Sequence, residues 1–417
     1  MHVLFIYLED VTASPPGHRL STEVWEAAFG LADLGPQVTV LTLGSEEQTA
    51  QRLSGQMLRL PARPLRVIPM TRLKEMRHQA LLQSNLSLLA QMACLHRQGR
   101  RVDLVHCFGW QAGLASGLIS QLTGAPLVCT LEDEIVERGP WMSDPQLAYP
   151  RCVERWLIRR SRRLLCPDPY ARGKIQDLFL VKDEDLCVVA PVSARIHDNG
   201  ERDIVPQEIE PSILYVGPLN YGSGVDTLLL ACSRLVARRA PFLRLLLVAS
   251  AATPDDLLIR KMIRELQLAE HVRLLNDIDG GRLPEEIFQQ ASLLVMPGRA
   301  EFVGNVILEA MGAGLPVVAA NCGALAELIE DGVNGLKFSH CEVESLAQAM
   351  ETILFDPQLY RQLALEARRE VRRRPEVGPL LMSIYQELWA GLKGKPEGKG
   401  GDIDDLLFAK TRGGGGI

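Results

Sequence analysis

The sequence predicts an α/β fold with two doubly wound, Rossmann-like domains, each built on a parallel sheet and facing the other across a cleft. Three observations lead to this prediction. The chain has 417 residues, which is more than one hydrophobic core usually serves. Short apolar segments alternate with longer amphipathic segments, as in parallel sheets covered by helices on both faces. The alternation stops once, in the polar segment 198–211, and then starts again.

The first half of the chain predicts an N-terminal domain at residues 1–200. Six short apolar segments have the length of buried strands, and the amphipathic segments between them predict helices. The predicted helices include 21–34, 73–96 and 151–160. The predicted strands are 3–8, 38–43, 102–106, 126–130, 163–166 and 186–190.

After the polar segment, residues 211–376 predict a second domain of the same kind. Its predicted strands are 212–216, 242–249, 272–275, 292–296 and 316–320. Its predicted helices are 225–237, 255–266, 284–290 and 305–312. Ligands of doubly wound sheets bind beyond the carboxyl ends of the strands, so the loops that follow these strands are the candidate functional segments.

The C-terminal part predicts a helix and then a flexible tail at 393–417. Glycines and lysines at 394–401 form a tether, and the acidic and apolar segment 402–408, from Asp402 to Phe408, follows it. Two interpretations remain open. The segment is either a disordered end, or a docking peptide for a protein partner, since a short apolar cluster on a flexible tether suits that role.

Composition argues against several classes of protein. The formal net charge is −6, which gives no support for a nucleic-acid partner. The nine cysteines include no C-x-x-C pair, which predicts a reducing cytosol and no metal site. The first apolar segment is too short for a signal peptide or a membrane span. We therefore expect a cytoplasmic protein.

The residues that suggest chemistry lie around the predicted helix 305–312. Glu301 precedes this helix, Gly304 and Asn305 begin it, and Glu309 lies one turn inside it. The start of a helix offers unpaired N–H groups and a positive dipole end, which suit a diphosphate. Glu301 is placed to stabilise positive charge on a sugar ring, and Glu309 to accept hydrogen bonds from ribose. Either glutamate alone is explained by the helix dipole.

This E-x7-E pair, with the run from Glu309 to Pro316 and the later motif from Gly323 to Glu327, closely resembles family 4 of the retaining glycosyltransferases. Further similar segments are Asp103-Leu-Val-His106 with Trp110, 211–217 and 331–335. The resemblance spans residues 1–392. It implies a GT-B fold, a nucleotide-diphosphate-sugar donor, retention of configuration and no cofactor. It also implies that the first domain, 1–200, binds the acceptor and that a helix at 377–392 returns to that domain.

Several positions depart from the family pattern. The family usually has an arginine at the position of Pro218 and a lysine at the position of Ser223, and both hold the diphosphate. Where the first domain of the family has a pair of glycines, this chain has His18 and Arg19. The family often has a histidine at the position of Glu132. It also has an N-G-V-D turn at the position of 192–195, where this chain has a different sequence.

The missing cations set the central question. Losing one preorganised electrostatic donor typically lowers a rate by about 10²–10³, so two uncompensated losses would end useful catalysis. Arg19, Arg299 and Arg282 lie on loops predicted to border the cleft and are candidates for compensation. The loop after the strand 212–216 keeps its glycines, whose backbone amides suit an anion. These are Gly217, Gly222 and Gly224.

Two functions therefore remain open. The first is a hexosyltransferase-type enzyme that moves a sugar from a nucleotide-diphosphate-sugar to the hydroxyl of an unknown acceptor. The alternative is a catalytically degenerate relative that acts as a scaffold or binds a partner through its surface and its C-terminal peptide.

One helical face at the predicted helix 151–160 and just after it is basic, because it carries Arg155, Arg159 and Arg162. That face is either solvated surface or a peripheral contact with the inner face of the membrane.

Overall fold

The computed structural model describes residues 1–8, 19–43, 51–54, 57–62, 77–131, 148–189, 211–249, 255–276, 285–298 and 305–393. These residues form two separate sheets, one from each half of the chain. Thirteen described helices cover them. The α/β fold class with two doubly wound sheets is confirmed.

The first sheet has eight strands in the order β3-β4-β2-β1-β5-β6-β7-β8. Its strands are β1 (His2–Tyr7), β2 (Gln37–Leu43), β3 (Gln51–Ser54), β4 (Met57–Ala62), β5 (Leu104–Phe108), β6 (Leu127–Thr130), β7 (Arg163–Cys166) and β8 (Leu186–Val188). Every neighbouring pair is parallel except β3 and β4, which are antiparallel at the edge.

The second sheet has six strands, all parallel, in the order β11-β10-β9-β12-β13-β14. Its strands are β9 (Ser212–Gly217), β10 (Arg244–Ala249), β11 (Val272–Asn276), β12 (Leu293–Met296), β13 (Val317–Ala320) and β14 (Leu336–Phe338). The order reverses between β9 and β12, which creates a crevice at their carboxyl ends.

Helices cover both faces of each sheet. In the first half these are α1 (Arg19–Asp33), α2 (Arg77–Arg97), α3 (Gly113–Thr123), α4 (Ala148–Arg160) and α5 (Pro169–Phe179). In the second half they are α6 (Val225–Arg238), α7 (Asp256–Glu265), α8 (Glu285–Gln290), α9 (Asn305–Gly312), α10 (Gly323–Leu328), α11 (Val343–Phe355), α12 (Pro357–Arg373) and α13 (Val377–Lys393).

The strand sequences explain why both faces are covered. On β1, Leu4 and Ile6 belong to one buried cluster, whereas Val3 and Phe5 belong to another on the opposite face. Successive side chains of a strand point to opposite faces. A strand that is apolar at every position therefore needs helices on both sides.

The last helix, α13, packs on the first half of the chain. Its Tyr385 and Leu381 belong to the same buried cluster as Phe5 of β1. Gly378 approaches Gly30 of α1 so closely that a Cβ atom on Gly378 would lie 2.6 Å from the carbonyl carbon of Gly30. The two helix backbones are therefore in direct contact.

Some predicted elements differ from the structure. The strand predicted at 102–106 lies at 104–108, and no strands were predicted at β3, β4 or β14. β3 and β14 have only four and three residues, and β4 contains Pro61, which counts against a strand prediction. The domain bounds at 200 and 211 stay a prediction, because residues 190–210 lie outside the described part of the chain.

Candidate active site

The carboxyl ends of β9 and β12 form the crevice of the second sheet. The chain leaves β9 for β10 on one side of the sheet, and it leaves β12 for β13 on the other. The two connections therefore run to opposite sides of the sheet, and doubly wound proteins bind their ligands at the carboxyl edge where this happens. The glutamate pair and the glycine loop singled out from the sequence both follow these two strands.

The loop after β9 is closed by its own side chains. The Tyr215 hydroxyl donates to the backbone oxygen of Pro218 at 2.8 Å, and the Ser223 hydroxyl donates to the same oxygen at 2.7 Å. The Asn220 side-chain oxygen accepts the backbone N–H of Ser223 at 2.8 Å. The two positions where the family carries arginine and lysine are thus joined to each other by a hydrogen bond.

Close contacts explain why this loop has glycine at Gly217 and Gly224. Gly224 has a φ of +73°, and a Cβ atom there would lie 2.3 Å from the backbone oxygen of Pro297. At Gly217, a Cβ atom would lie 2.7 Å from the Tyr215 hydroxyl. Gly222 is exposed, and the Asn220 side-chain oxygen lies 3.3 Å from the position of its Cβ. Gly224 therefore lets the loop after β9 pack directly against the loop after β12.

Helix α6 begins at the crevice. Its N-cap is Gly224, which has no side chain to accept hydrogen bonds from the first amides of the helix. The amides of Ser223 and Gly224 donate to Asn220 and Tyr221 within the loop. Those two amides are thus used within the loop, whereas the first amides of a helix have no partners inside it. Binding of an anion by Gly217, Gly222 and Gly224 stays a prediction.

An acidic residue lies close to these amides. Asp226 is in the first turn of α6, and its Oδ1 atom is buried with no hydrogen-bond partner in the described residues. Burial, with Asp226 as a further contribution, raises the pKa of Tyr215 well above its usual value. The surroundings of this helix start are therefore more negative than a diphosphate site usually requires.

Helix α9 carries the second glutamate of the motif. Glu309 is half-buried at the start of the second turn of α9. Asn305 is the first residue of this helix, although its side chain lies outside the described set. Glu301, Gly304 and Arg299 also lie outside the described residues, so their roles stay predictions.

A third loop reaches the same edge. The Cys322 thiol, at the start of α10, donates to the backbone oxygen of Gly298 at 3.4 Å. The motif from Gly323 to Glu327 forms helix α10, which contacts α5 of the first half. Burial, and then the charge of Asp168, raise the pKa of Glu327, which accepts a hydrogen bond from the Tyr170 backbone. Local sequence patterns gave no sign of this long-range contact.

In the first sheet, His106 of β5 is held by contacts inside the core and has a structural role. It is fully buried, and its two ring nitrogens lie 2.5 Å from the Tyr385 hydroxyl and 2.7 Å from the Thr130 hydroxyl. Its ring stacks on Phe108 with 4.0 Å between centroids. Desolvation lowers the pKa of His106 to about 3. The imidazole is therefore neutral, and its partners hold α13 against the sheet.

Of the three arginines proposed to replace the missing cations, the structure describes only the backbone of Arg19. Arg19 was predicted on a loop, but it is the first residue of α1. The helix was predicted from residue 21 and begins two residues earlier. Arg19 still follows the carboxyl end of β1, although its side chain lies outside the described set. Arg282, Glu132 and 192–195 are also outside the described residues.

The predicted arginine face is only partly helical, because α4 ends at Arg160 and the Arg162 amide already donates to the backbone oxygen of Leu127 at 2.8 Å. Arg155, Arg159 and Arg162 are exposed. The opposite face is buried against α3, where a Cβ atom on Gly117 would lie 2.2 Å from the Trp156 ring and Gly113 leaves room for Leu157. Contact of this face with a membrane stays a prediction. In the described part of the chain, no helix is long and apolar enough to cross a membrane.

The acidic turn at Asp183–Asp185 has a structural explanation. It is a short 3₁₀ helix before β8, and Asp183 accepts hydrogen bonds from the Arg172 and Gln176 side chains. These hydrogen bonds lower the pKa of Asp183. Within the described ranges, no three His, Cys, Asp or Glu residues are grouped as metal ligands would be.

Comparison with protein families gives two matches. Residues 210–356 match the model of "Glycosyl transferases group 1", and residues 20–191 match that of "Glycosyl transferase 4-like domain". Among curated relatives, a glycogen synthase of Mycobacterium tuberculosis is 29% identical over 280 residues, which cover 65% of this chain and 64% of that protein. A D-inositol 3-phosphate glycosyltransferase of Rhodococcus opacus is 27% identical over 282 residues, or 64% and 63% of the two chains. The matched region is thus less than two thirds of these relatives' length.

Solved structures show the same fold. Sucrose-phosphate synthase from Thermosynechococcus elongatus superimposes with a TM-score of 0.73 at 21% identity, covering 94% of this chain and 99% of that one. HepE from Anabaena, solved with UDP and glucose, gives a TM-score of 0.70 at 19% identity, with 94% and 100% covered. With both halves matched by glycosyltransferase models and the two-sheet fold shared, this chain belongs to family 4 of the glycosyltransferases and has the GT-B fold.

Proposed function

We propose that the protein is a retaining glycosyltransferase that moves a sugar from a nucleotide-diphosphate-sugar to an acceptor hydroxyl. One observation carries the proposal: helices α6 and α9 start at the carboxyl ends of the strands on either side of the switch point, and the loops after these strands touch through Gly224 and Pro297. Helix starts favour a diphosphate. Relatives named as glycosyltransferases, and a neighbour solved with UDP and glucose, support the same donor class.

In this proposal the two glutamates contact different parts of the donor. Glu301 stabilises the positive charge that develops on the sugar, and Glu309 accepts hydrogen bonds from the ribose. Backbone amides at Gly304 and Asn305 stabilise the departing diphosphate. The diphosphate oxygen removes the acceptor proton, so no protein base is required. His106 is unsuited to be one, because it is buried and bonded on both nitrogens.

The missing cations must then be replaced. Arg19 is the first candidate, because it begins the helix that follows β1, and Arg299 is the second. Arg19→Ala should weaken binding of UDP more than binding of uridine, because only UDP carries the charge. Added salt should reduce the difference. Equal UDP affinity in the wild type and in both the Arg19→Ala and Arg299→Ala variants would rule out this compensation.

A degenerate glycosyltransferase that serves as a scaffold is the second candidate. The loop after β9 favours it, because Ser223 and Pro218 are tied to each other and the nearby charged residue is the acidic Asp226. An anion gains no side-chain cation from the described residues of this loop. In this case the C-terminal segment 402–408, which lies outside the described residues, is the candidate contact for a protein partner.

A binding screen separates the two candidates. The melting temperature of the full chain would be followed with UDP-glucose, ADP-glucose and GDP-mannose, and then with UDP, ADP and GDP. A ligand that binds only the folded state raises the melting temperature once its concentration exceeds Kd. For a donor that binds, sugar transfer to acceptors such as D-inositol 3-phosphate would be measured. No stabilisation by any of the six at millimolar concentration would overturn the enzyme proposal and favour the scaffold. Whether the protein works in the cytoplasm or at the membrane surface stays a prediction.

A further inference from the structure

The C-terminal end of α9 is held by a side chain from α12. The Arg368 Nη2 atom donates a hydrogen bond to the backbone oxygen of Ala313 at 2.9 Å. Ala313 directly follows α9, where the last carbonyl groups of a helix have no partners within it. A cation at this end also interacts favourably with the helix dipole. Arg368 therefore both satisfies a carbonyl group and stabilises the helix end.

Gly314 makes this contact sterically feasible. Its φ is +75°, and a Cβ atom there would lie 2.4 Å from Nε of Arg368 and 2.7 Å from its Cζ. The turn is closed by the Gly314 amide, which donates to Met311 at 3.0 Å, and by the Leu315 amide, which donates to Ala310 at 2.9 Å. The left-handed backbone favours glycine at this position, and a Cβ atom there would displace the guanidinium from its contact with Ala313.

The same contact lies one turn from Glu309. The Ala313 amide donates to the backbone oxygen of Glu309 at 2.8 Å. Helix α9 has eight residues, or about 12 Å of rigid helix. A displacement at its C-terminal end is therefore transmitted to the end that begins at the crevice. Ala367 of α12 shares a buried cluster with Ile307 and Met311 of α9, so the two helices have apolar contacts beside the hydrogen bond.

We propose that Arg368 is a positioning residue of the donor site, which acts by fixing α9 and with it the direction of Glu309 toward the bound nucleotide. This inference rests on the proposed function. The described part of the loop after β9 offers no side-chain cation, so more of the donor's binding depends on the exact placement of the α9 start. A small rotation of α9 would lower affinity without removing any group that touches the donor.

The test measures UDP binding to the full chain by isothermal titration calorimetry. Arg368→Met keeps the apolar stem but no donor, and UDP affinity should fall by about tenfold, the size of one charge-assisted hydrogen bond between Glu309 and the ribose. Arg368→Lys keeps a charged donor and should bind UDP as the wild type does. Arg369→Ala is the matched control, because Arg369 is exposed and pairs with Glu366 on its own helix. All variants would be compared well below their melting temperatures.

A double-mutant cycle with Glu309→Gln separates positioning from a general structural role. If Arg368 acts through Glu309, Arg368→Met should cost little further UDP affinity once Glu309 is changed. Additive losses would overturn the proposal, and so would an Arg368→Met variant that binds UDP like the wild type. If the wild type binds none of the six donors and nucleotides of the screen, the proposed function fails, and this inference fails with it. Binding by the wild type with no effect of Arg368→Met would remove this inference alone.

Discussion

At the carboxyl edge of the second sheet, short glycine loops touch each other, and helices α6 and α9 begin beside them. The first sheet has the same strand order among β4, β2, β1, β5, β6 and β7. In this sheet, however, the buried His106 of β5 bonds to Tyr385 of the last helix. One sheet has two helix starts at its carboxyl edge, and the other uses a histidine to bind a distant part of its own chain. Shared topology therefore fixes where a site can lie but leaves its use to a few side chains.

The largest expected effect tests the ligand side of this comparison. If Glu301 stabilises charge that develops only in the transition state, Glu301→Gln should lower kcat by about 10²–10³ and leave the donor Kd nearly unchanged. Steady-state kinetics and calorimetry with the donor found in the screen would measure both. Glu286→Gln, at an exposed position on α8, is the control. A kcat equal to that of the wild type would exclude Glu301 from the mechanism.

The next effect tests the assembly side. Gly378→Ala places a methyl group 2.6 Å from the Gly30 backbone, where neither helix has a flexible side chain to move. Overpacking of this kind typically lowers the free energy of unfolding by about 1–3 kcal/mol, and a backbone-to-backbone contact should reach the upper end. Denaturant unfolding would measure it.

The matched control for this change is Gly173→Ala on α5. This glycine has no atom within 4 Å of the position of its Cβ. Its replacement should raise stability by about 0.5–1 kcal/mol, because glycine is a poor helix former. If both variants changed stability equally, the close contact between α1 and α13 would not matter to the fold.

These positions also show how far sequence reasoning extends. The strand and helix patterns around Glu309 span contiguous residues, so the order and type of those elements could be predicted. The contact between Glu327 and Tyr170, and the one between Arg368 and Ala313, join residues far apart in the chain. No local pattern encodes them. Ser223 could be recognised as a departure from the family, but its hydrogen bond to Pro218 required coordinates.

A smaller effect concerns pH and the same contact of α13. Burial lowers the pKa of His106 to about 3, whereas an unfolded histidine has a pKa of about 6.5. As the pH falls below 6.5, the unfolded state takes up a proton that the folded state does not, so stability falls. From pH 8 to pH 5 this contribution should amount to about 2 kcal/mol.

The measurement is the free energy of unfolding across that pH range in the wild type and in His106→Asn. Other groups titrate equally in both proteins, so the difference between the two curves reports on His106. The variant should be less stable at pH 8, because it loses packing, but should lose less stability on acidification. Parallel curves would mean that His106 takes up a proton as readily in the folded protein as in the unfolded chain, contrary to its buried and doubly bonded environment.

The smallest effect is expected at the C-terminal end, beyond both sides of the comparison. Residues 394–417 lie outside the described part of the chain, and the segment 402–408 has too few apolar residues to offset the entropy of ordering the tether. Deleting everything after Gly394 should therefore change the melting temperature by less than about 1 °C, since surface changes rarely exceed 0.5 kcal/mol. A drop of several degrees would show that the segment packs on the body of the protein. Unchanged stability together with unchanged sugar transfer would leave this segment free to serve a partner, and the scaffold hypothesis would then be tested on the tail alone.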